Sequence, residues 1–407
     1  MKRLVAILGL WLVLVTPVHA TRLFTSGGEE NNVVSDGPVW VITSGGVSVV
    51  ASPVYAGTYA YRALRATAGV AQLRWNLVSA DTAGTYCNRF RVRRAGTPSA
   101  IVQNYMVRSS ASADAWYIQT DTSNVLSLVN ANDSTSITGP TLTLDQWYRI
   151  ESCVLLGDGT GTLELKVDGV SQGTLTSKDT LPTNIQYFYF GVFNSVTTAD
   201  FYYDDIAIND EAGSFANSWP GDWKVAYTEP SSDTSTTWED ETAGAATFAN
   251  LNELPGATDD ANYNLETAAL NSIDRFGIAA LPGEVPAGAT FNLFHLMSRL
   301  GSDQTSAAQG YLKVWDEGGS PTNGSNFSCN VNGWKDANTG GGNLAYDLTG
   351  KTKTNVEAFS IGYENHTDDA TRDRRVSTLW GNVEWIEGAG GKSISGAGSI
   401  SGAGSIN

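Results

Sequence analysis

Short runs of alternating apolar and polar residues dominate this chain. Leu73-Arg-Trp-Asn-Leu77 places Leu73, Trp75 and Leu77 on one side and Arg74 and Asn76 on the other. Asn88-Arg-Phe-Arg-Val92 and Tyr187-Phe-Tyr-Phe190 repeat the arrangement. A period of two is that of a half-buried strand. Such runs cover Thr58–Arg65, Val70–Leu77, Tyr86–Arg93, Ala100–Arg108, Trp116–Thr120, Val125–Val129, Trp147–Leu155, Thr162–Val167, Tyr187–Val192 and Phe201–Ile208. Clusters of Gly, Asp, Asn and Ser separate them. Strands this short, with no intervening helices, predict an all-β antiparallel sandwich over residues 22–212. Residues 213–221, Gly-Ser-Phe-Ala-Asn-Ser-Trp-Pro-Gly, read as a linker. A second β unit is expected over 222–387, with strands at Trp223–Tyr227, Ile278–Leu281, Phe291–Leu296, Tyr311–Trp315, Ala358–Tyr363 and Leu379–Ile386; the segment Asp274–Leu281 reads as a strand rather than a helical turn. Residues 388–407 carry the repeat Ser-Ile-Ser-Gly-Ala-Gly, a low-complexity tail that cannot build a core.

The first twenty residues break the pattern. Lys2 and Arg3 precede the apolar run Leu4–Val15, and Val18 and Ala20 sit where a small-residue cleavage site needs them. This is the form of a secretory signal peptide, too short for a comfortable membrane span. A mature chain starting at Thr21 is expected to be secreted, extracellular or at the cell surface, with a virion as the alternative. The formal charge of −17 becomes −19 once Lys2 and Arg3 are lost. Such a surface repels nucleic acid and anionic membranes, so neither is an expected partner. Cys87, Cys153 and Cys329 form no CxxC or Cys/His cluster, which argues against zinc. Cys87 and Cys153 lie in strands that can be neighbours; a disulfide and two buried free thiols both stay open.

Three stretches carry a resemblance. Asp145-Gln-Trp-Tyr-Arg-Ile-Glu151, Leu163-Glu-Leu-Lys-Val-Asp-Gly169 and Phe201-Tyr-Tyr-Asp-Asp-Ile-Ala-Ile208 follow one another as in the concanavalin A-like (laminin-G-like) jelly rolls, which the first unit resembles. Leu23-Phe-Thr-Ser-Gly-Gly-Glu29 and Gly57-Thr-Tyr-Ala60 are similar to exported carbohydrate-binding modules and phage-type virion proteins. The resemblance covers about half the chain and implies two jelly-roll β-sandwiches in tandem.

The same resemblance prompts a search for catalysts. Glucanases of this superfamily align carboxylates on one strand face. Here Glu239-Asp240-Glu241 is consecutive and expected in a loop, so its side chains diverge. Tyr187-Phe-Tyr-Phe-Gly-Val-Phe-Asn194 is similar to a strand of jelly-roll alginate lyases, but Tyr189 stands at their Lys position and Phe193 at their catalytic Tyr position. The mature chain has only His295 and His366, both in the second unit, and no Gly-x-Ser-x-Gly elbow. The chain is therefore expected not to be an enzyme.

Alternation also assembles a binding surface. Arg74, Asn76, Arg89, Arg91, Tyr117, Gln119, Arg149, Glu151, Tyr187 and Tyr189 all point away from the core, and they are expected to share one sheet face. Aromatic rings stack on sugar C–H groups, and guanidinium forks hold carboxylate. The bland alternative is a solvated face with cross-strand Arg–Glu pairs. In similar carbohydrate-binding modules a Glu near the start and an Asp in the closing strand hold a structural Ca²⁺, which implies Glu29 (or Glu30) with Asp204 or Asp205. The expected function is a non-catalytic, lectin-like glycan-binding or adhesion protein for an acidic polysaccharide or cell-surface glycan, with an oligomer allowed. The alternatives are a structural virion or surface component and a divergent polysaccharide lyase.

Overall fold

The computed structural model describes residues 22–31, 33, 39–40, 42–65, 70–193, 198–252, 255, 260–266, 272–302, 308–329, 333–336, 343–365 and 374–388. The expected signal peptide, His366 and the repeat tail lie outside the described residues. The first unit is a sandwich of two antiparallel sheets. Its back sheet runs in the order Val170–Lys178, Gly161–Val167, Trp147–Leu155, Thr85–Arg94, Ala199–Asn209, Ala60–Arg65, Val47–Val50, with Arg22–Ser26 also paired to Ala199–Asn209. Its front sheet runs Ser136–Thr141, Val125–Asn130, Asp114–Thr120, Val102–Arg108, Ile185–Val192, Ala71–Asp81, Ile42–Ser44. Non-sequential neighbours in both sheets give the crossed connections of a jelly roll.

The inward residues are those that alternation selects. Leu73, Trp75 and Leu77 from the front sheet meet Phe90, Val92 and Ile150 from the back sheet, all buried. Aromatic rings fill the centre: Phe90 lies 5.4 Å from Tyr105 and 5.7 Å from Phe190. Edge and tilted contacts of this kind suit the ring quadrupole. Tyr203 donates its hydroxyl to the carbonyls of Asn104 (2.8 Å) and Gly191 (3.2 Å), tying the back sheet to two front strands. Cys87 and Cys153 face each other across the ladder and are joined in a disulfide.

The second unit is a second antiparallel sandwich. One sheet runs Glu239–Asp240, Asn264–Glu266, Arg374–Ile386, Thr290–Ser302, Gly333–Asp336, with Lys224–Thr228 on Arg374–Ile386 and Asn343–Asp347 on Thr290–Ser302. The other runs Pro230–Ser235, Ile273–Ile278, Ser360–Asn365, Ala308–Trp315, Pro321–Cys329. Asp274–Leu281, expected as a strand, forms one over Ile273–Ile278, where Asp274, Phe276 and Ile278 alternate inward. Leu281 is buried too, but from a loop, and its N–H donates to Glu357 at 3.1 Å. Among the described residues no helix is long and apolar enough to cross a membrane.

The two sandwiches share a boundary. Met297 and Trp380 of the second belong to the apolar core of the first. Beside them, Glu384 accepts from Arg22, and from Arg89 at 2.9 Å, and Asn292 adds a bond of 2.6 Å. Asn382 donates to the Thr25 carbonyl (2.7 Å) and to Glu30 (2.6 Å).

Candidate functional site

The ten residues expected on one face lie on two opposite faces. Arg89, Arg91, Arg149 and Glu151 stand on the back sheet. Arg74, Asn76, Tyr117, Gln119, Tyr187 and Tyr189 stand on the front sheet. The back face is covered by the linker and the second sandwich. Arg89 is 0% exposed; it donates to the Asp205 carbonyl (2.8 Å), the Gly221 carbonyl (3.2 Å) and Glu384. Arg91 and Arg149 converge on Asp222, with Arg149 at 2.9 Å, and Arg91 also lies 3.8 Å from the centre of the Tyr55 ring. Glu151 pairs with Arg149 at 3.0 Å and accepts from the Gly221 N–H at 2.8 Å. These four side chains hold the two units together; they are not a sugar-facing surface. Alternation sent them outward correctly, but outward there means towards the second unit.

The carboxyl groups of this boundary respond to it. Burial alone raises Glu384, yet Arg22 and Arg89 outweigh it and hold its carboxyl below the usual range. Burial pushes Glu30 up. Burial, with Arg22 nearby, drives His295 down to about 3, so the ring is neutral.

The expected calcium ligands Glu29, Asp204 and Asp205 each accept hydrogen bonds from backbone N–H groups. Glu29 accepts from the N–H groups of Thr58 (2.8 Å) and Tyr59 (2.9 Å). Asp204 accepts from the N–H groups of Tyr55 (2.8 Å), Ala56 (3.3 Å) and Asp205 (2.8 Å). Asp205 accepts from the Val225 N–H at 2.8 Å. Asp205 Oδ2 has no hydrogen-bond partner among the described residues. Burial pushes the Glu29 carboxyl up to about 7 and that of Asp205 up to about 6. Among the described residues no cluster of three His, Cys, Asp or Glu suits a metal.

The front face is different. Its ladder aligns Arg74, Tyr189, Met106 and Tyr117 in one row across four strands, and Asn76, Tyr187 and Arg108 in the next. The first row spans roughly 14 Å, three inter-strand spacings. The Arg74 guanidinium lies 4.6 Å from the Tyr187 ring centre and 5.9 Å from that of Tyr189. Arg108 reaches Tyr189 from the other side at 5.6 Å and is anchored by Asp114 at 2.6 Å. Phe193 closes one end, 5.7 Å from the Tyr189 ring. Gly191 follows in the strand with φ +137°, and a Cβ there would meet the Ala71 carbonyl at 2.0 Å, so only glycine fits. Its neighbours across the ladder are Gln72 on one side and, beyond Tyr105, the strand bearing Gln103, which pairs with Gln119.

Two polar atoms on this face, Arg74 Nε and Asn76 Oδ1, are screened from water without a hydrogen-bond partner among the described residues. Groups left so are costly unless a ligand completes them. Arg108, which the sequence reading missed, is as central as Arg74. The alternation Met106–Arg108 could have placed it outward, but not beside Tyr187, which is distant in sequence.

No family model and no curated protein matches the chain. Solved structures do show similarity. An endo-β-1,4-glucuronan lyase from the fungus Trichoderma reesei matches at 15% identity and a TM-score of 0.36, over 48% of this chain and 98% of that one. The cellulose-induced protein Cip1 matches at 15% identity and 0.34, over 45% and 90%. The alginate lyase AlyC3 matches at 10% identity and 0.29, over 37% and 75%. What is shared is the jelly-roll sandwich of the concanavalin-like folds. The presence of polysaccharide lyases among these structures corrects the expectation that the chain is not an enzyme. That expectation rested on Phe193 and on the missing histidine, whereas the front face offers tyrosine hydroxyls beside guanidinium groups.

Proposed function

We propose that the front face of the first sandwich binds an acidic polysaccharide outside the cell. The observation that carries this reading is Arg74: stacked on Tyr187 and Tyr189, with its Nε and the neighbouring Asn76 Oδ1 unpartnered among the described residues. A uronate unit offers what they lack, a carboxylate for the guanidinium fork and hydroxyls for the amide oxygen. Its C–H faces suit the half-buried Tyr187 ring, while the Tyr189 ring is buried at 5% exposed and backs Arg74. Affinity electrophoresis through gels of alginate, pectin or neutral glucan tests it. Retardation in the acidic gels is expected, and is lost in Arg74→Ala. Equal mobility in all gels overturns the reading.

A second reading is favoured by the phenols beside Arg74. Arginine neutralising a uronate carboxylate makes the C5 proton acidic. A tyrosine in its deprotonated form accepts that proton, the C4=C5 double bond forms as the C4–O bond breaks, and the resulting phenol returns a proton to the leaving oxygen. Tyr187→Phe and Tyr189→Phe keep the rings and remove the hydroxyls. If the protein cleaves, these variants keep binding and lose the ultraviolet-absorbing unsaturated product. A wild-type chain that binds without forming that product overturns this reading alone.

A further inference from the structure

The front face has a raised rim beside Arg74. On the strand Ala71–Asp81, Asn76 stands opposite Tyr187 and Asp81 opposite Ile185. Leu77, Val78, Ser79 and Ala80 therefore face Gln186 alone, and the surplus residues bulge from the ladder. The foot of this bulge is fixed. Asp81 accepts from the N–H groups of Thr82 (2.7 Å) and Ala83 (3.3 Å) and from the Tyr86 hydroxyl. Leu77 turns into the core, so alternation sends Val78 to the side of Asn76, roughly 7 Å along the strand. Val78 is 70% exposed, more than any other large apolar side chain among the described residues. Its methyl groups flank an amide, Asn76, whose Oδ1 has no hydrogen-bond partner among those residues.

Away from the rim the face turns neutral. Gln103 pairs with Gln119, Gln119 with Ser127, and Ser127 with Thr138, all of them at least partly exposed. The strand of Gln119 lies three inter-strand spacings, roughly 14 Å, from that of Arg74. A polymer that crosses the strands meets the two with different sugar units. We infer that the front face takes a polysaccharide in which a uronate alternates with an N-acetylated amino sugar. This choice of ligand rests on the reading of that face as a site for acidic polysaccharide. An acetamido group supplies both things the rim lacks. Its N–H donates to Asn76 Oδ1, and its methyl group is shielded from water by Val78. The neighbouring uronate sets its carboxylate on the Arg74 guanidinium. Hydroxyl groups of the units beyond meet the amides and hydroxyls of the neutral row. A chain of uronates alone sets one carboxylate against the Val78 methyl groups and others over uncharged Gln103 and Gln119. Each of those loses water without gaining a counter-charge.

Calorimetric titration of the whole chain with hexasaccharides tests this. Hyaluronan and heparosan hexasaccharides alternate glucuronate with N-acetylglucosamine, and carry half as many carboxylates as a mannuronate hexasaccharide. Charge alone ranks the mannuronate ligand first. The wild type is expected to bind the better of the two alternating ligands at least about tenfold more tightly than the mannuronate one. Val78→Ser, at an exposed position, is expected to keep the wild-type thermal transition. It should cut the preference by about threefold, the worth of a lost apolar contact, and leave mannuronate binding as in wild type. A mannuronate ligand that binds as tightly as both alternating ones overturns the inference; loss of that binding in Arg74→Ala then spares the front-face reading. A preference that stands undiminished in Val78→Ser also overturns the inference. A wild type that binds none of the three overturns both, and so does binding of the alternating ligands at full strength in Arg74→Ala.

Discussion

The two faces of the first sandwich read alike in sequence and differ in structure. Each presents arginine beside tyrosine or glutamate at every second position. On the back, Arg89, Arg91 and Arg149 find Glu384, Asp205 and Asp222 and disappear under the second unit. On the front, Arg74 and Arg108 find tyrosine rings, and Arg74 Nε has no hydrogen-bond partner among the described residues. An arginine whose partners are carboxylates is a fastener. Arg74, close to two rings and with no carboxylate partner among the described residues, is read as a receptor. The distinction lies in the partner and not in the residue.

The largest effect should come from the fastener. Glu384→Ala leaves Arg22 and Arg89 buried without their counter-charge, and chemical denaturation is expected to show a loss of about 3–5 kcal/mol. A loss below about 1 kcal/mol would mean that the boundary opens to water. Arg89→Ala should cost about 2–3 kcal/mol, the value of charged hydrogen bonds removed from a buried site, while glycan affinity at fixed folded concentration stays as in wild type. A folded Arg89→Ala protein that loses glycan binding would place the receptor on the wrong side.

The front face should reverse that pattern. Arg74→Ala or Arg108→Ala is expected to weaken acidic-glycan binding by about 1–3 kcal/mol and to change stability by no more than about 1 kcal/mol. Added salt should weaken binding by wild type and flatten the difference between the two.

The last contrast is in pH. The Glu29 carboxyl rises from 4.5 to about 7 on folding, so the folded chain holds that proton more tightly. Its contribution is present below the unfolded value and is lost as pH rises from about 4.5 to about 7. His295 runs the other way, from 6.5 down to about 3, so its contribution is lost as pH falls across that range. Thermal midpoints of Glu29→Gln should fall less than those of wild type across the Glu29 window. An identical slope in the two proteins would show that Glu29 titrates as an ordinary carboxylate.

Much of this was legible from alternation. It placed Leu73, Trp75, Phe188 and Phe190 inside and sent Arg74, Tyr187 and Tyr189 outward, because a pleated strand leaves no other choice. It failed wherever the answer depended on a distant partner. Nothing near Arg89 announces Glu384, and nothing near Tyr187 announces Arg108. The strand expected through Leu281 ends at Ile278 for another reason: Leu281 is apolar and buried, but it belongs to a loop. The backbone N–H groups that bond Glu29 and Asp204 carry no sequence signature either.

The bond between Arg22 and Glu384 joins the first described strand to the last one. During synthesis Arg22 and Arg89 emerge long before the carboxylate that neutralises them. A ribosome that has finished the first sandwich has produced a unit with two guanidinium groups still facing water. Only the final strand, Arg374–Ile386, supplies Glu384, Asn382 and Trp380 together. Docking of the two units therefore joins residues far apart in the chain, the kind of contact that slows folding. A chain cut short before that strand would carry a complete front face on a sandwich whose back remains charged and uncovered.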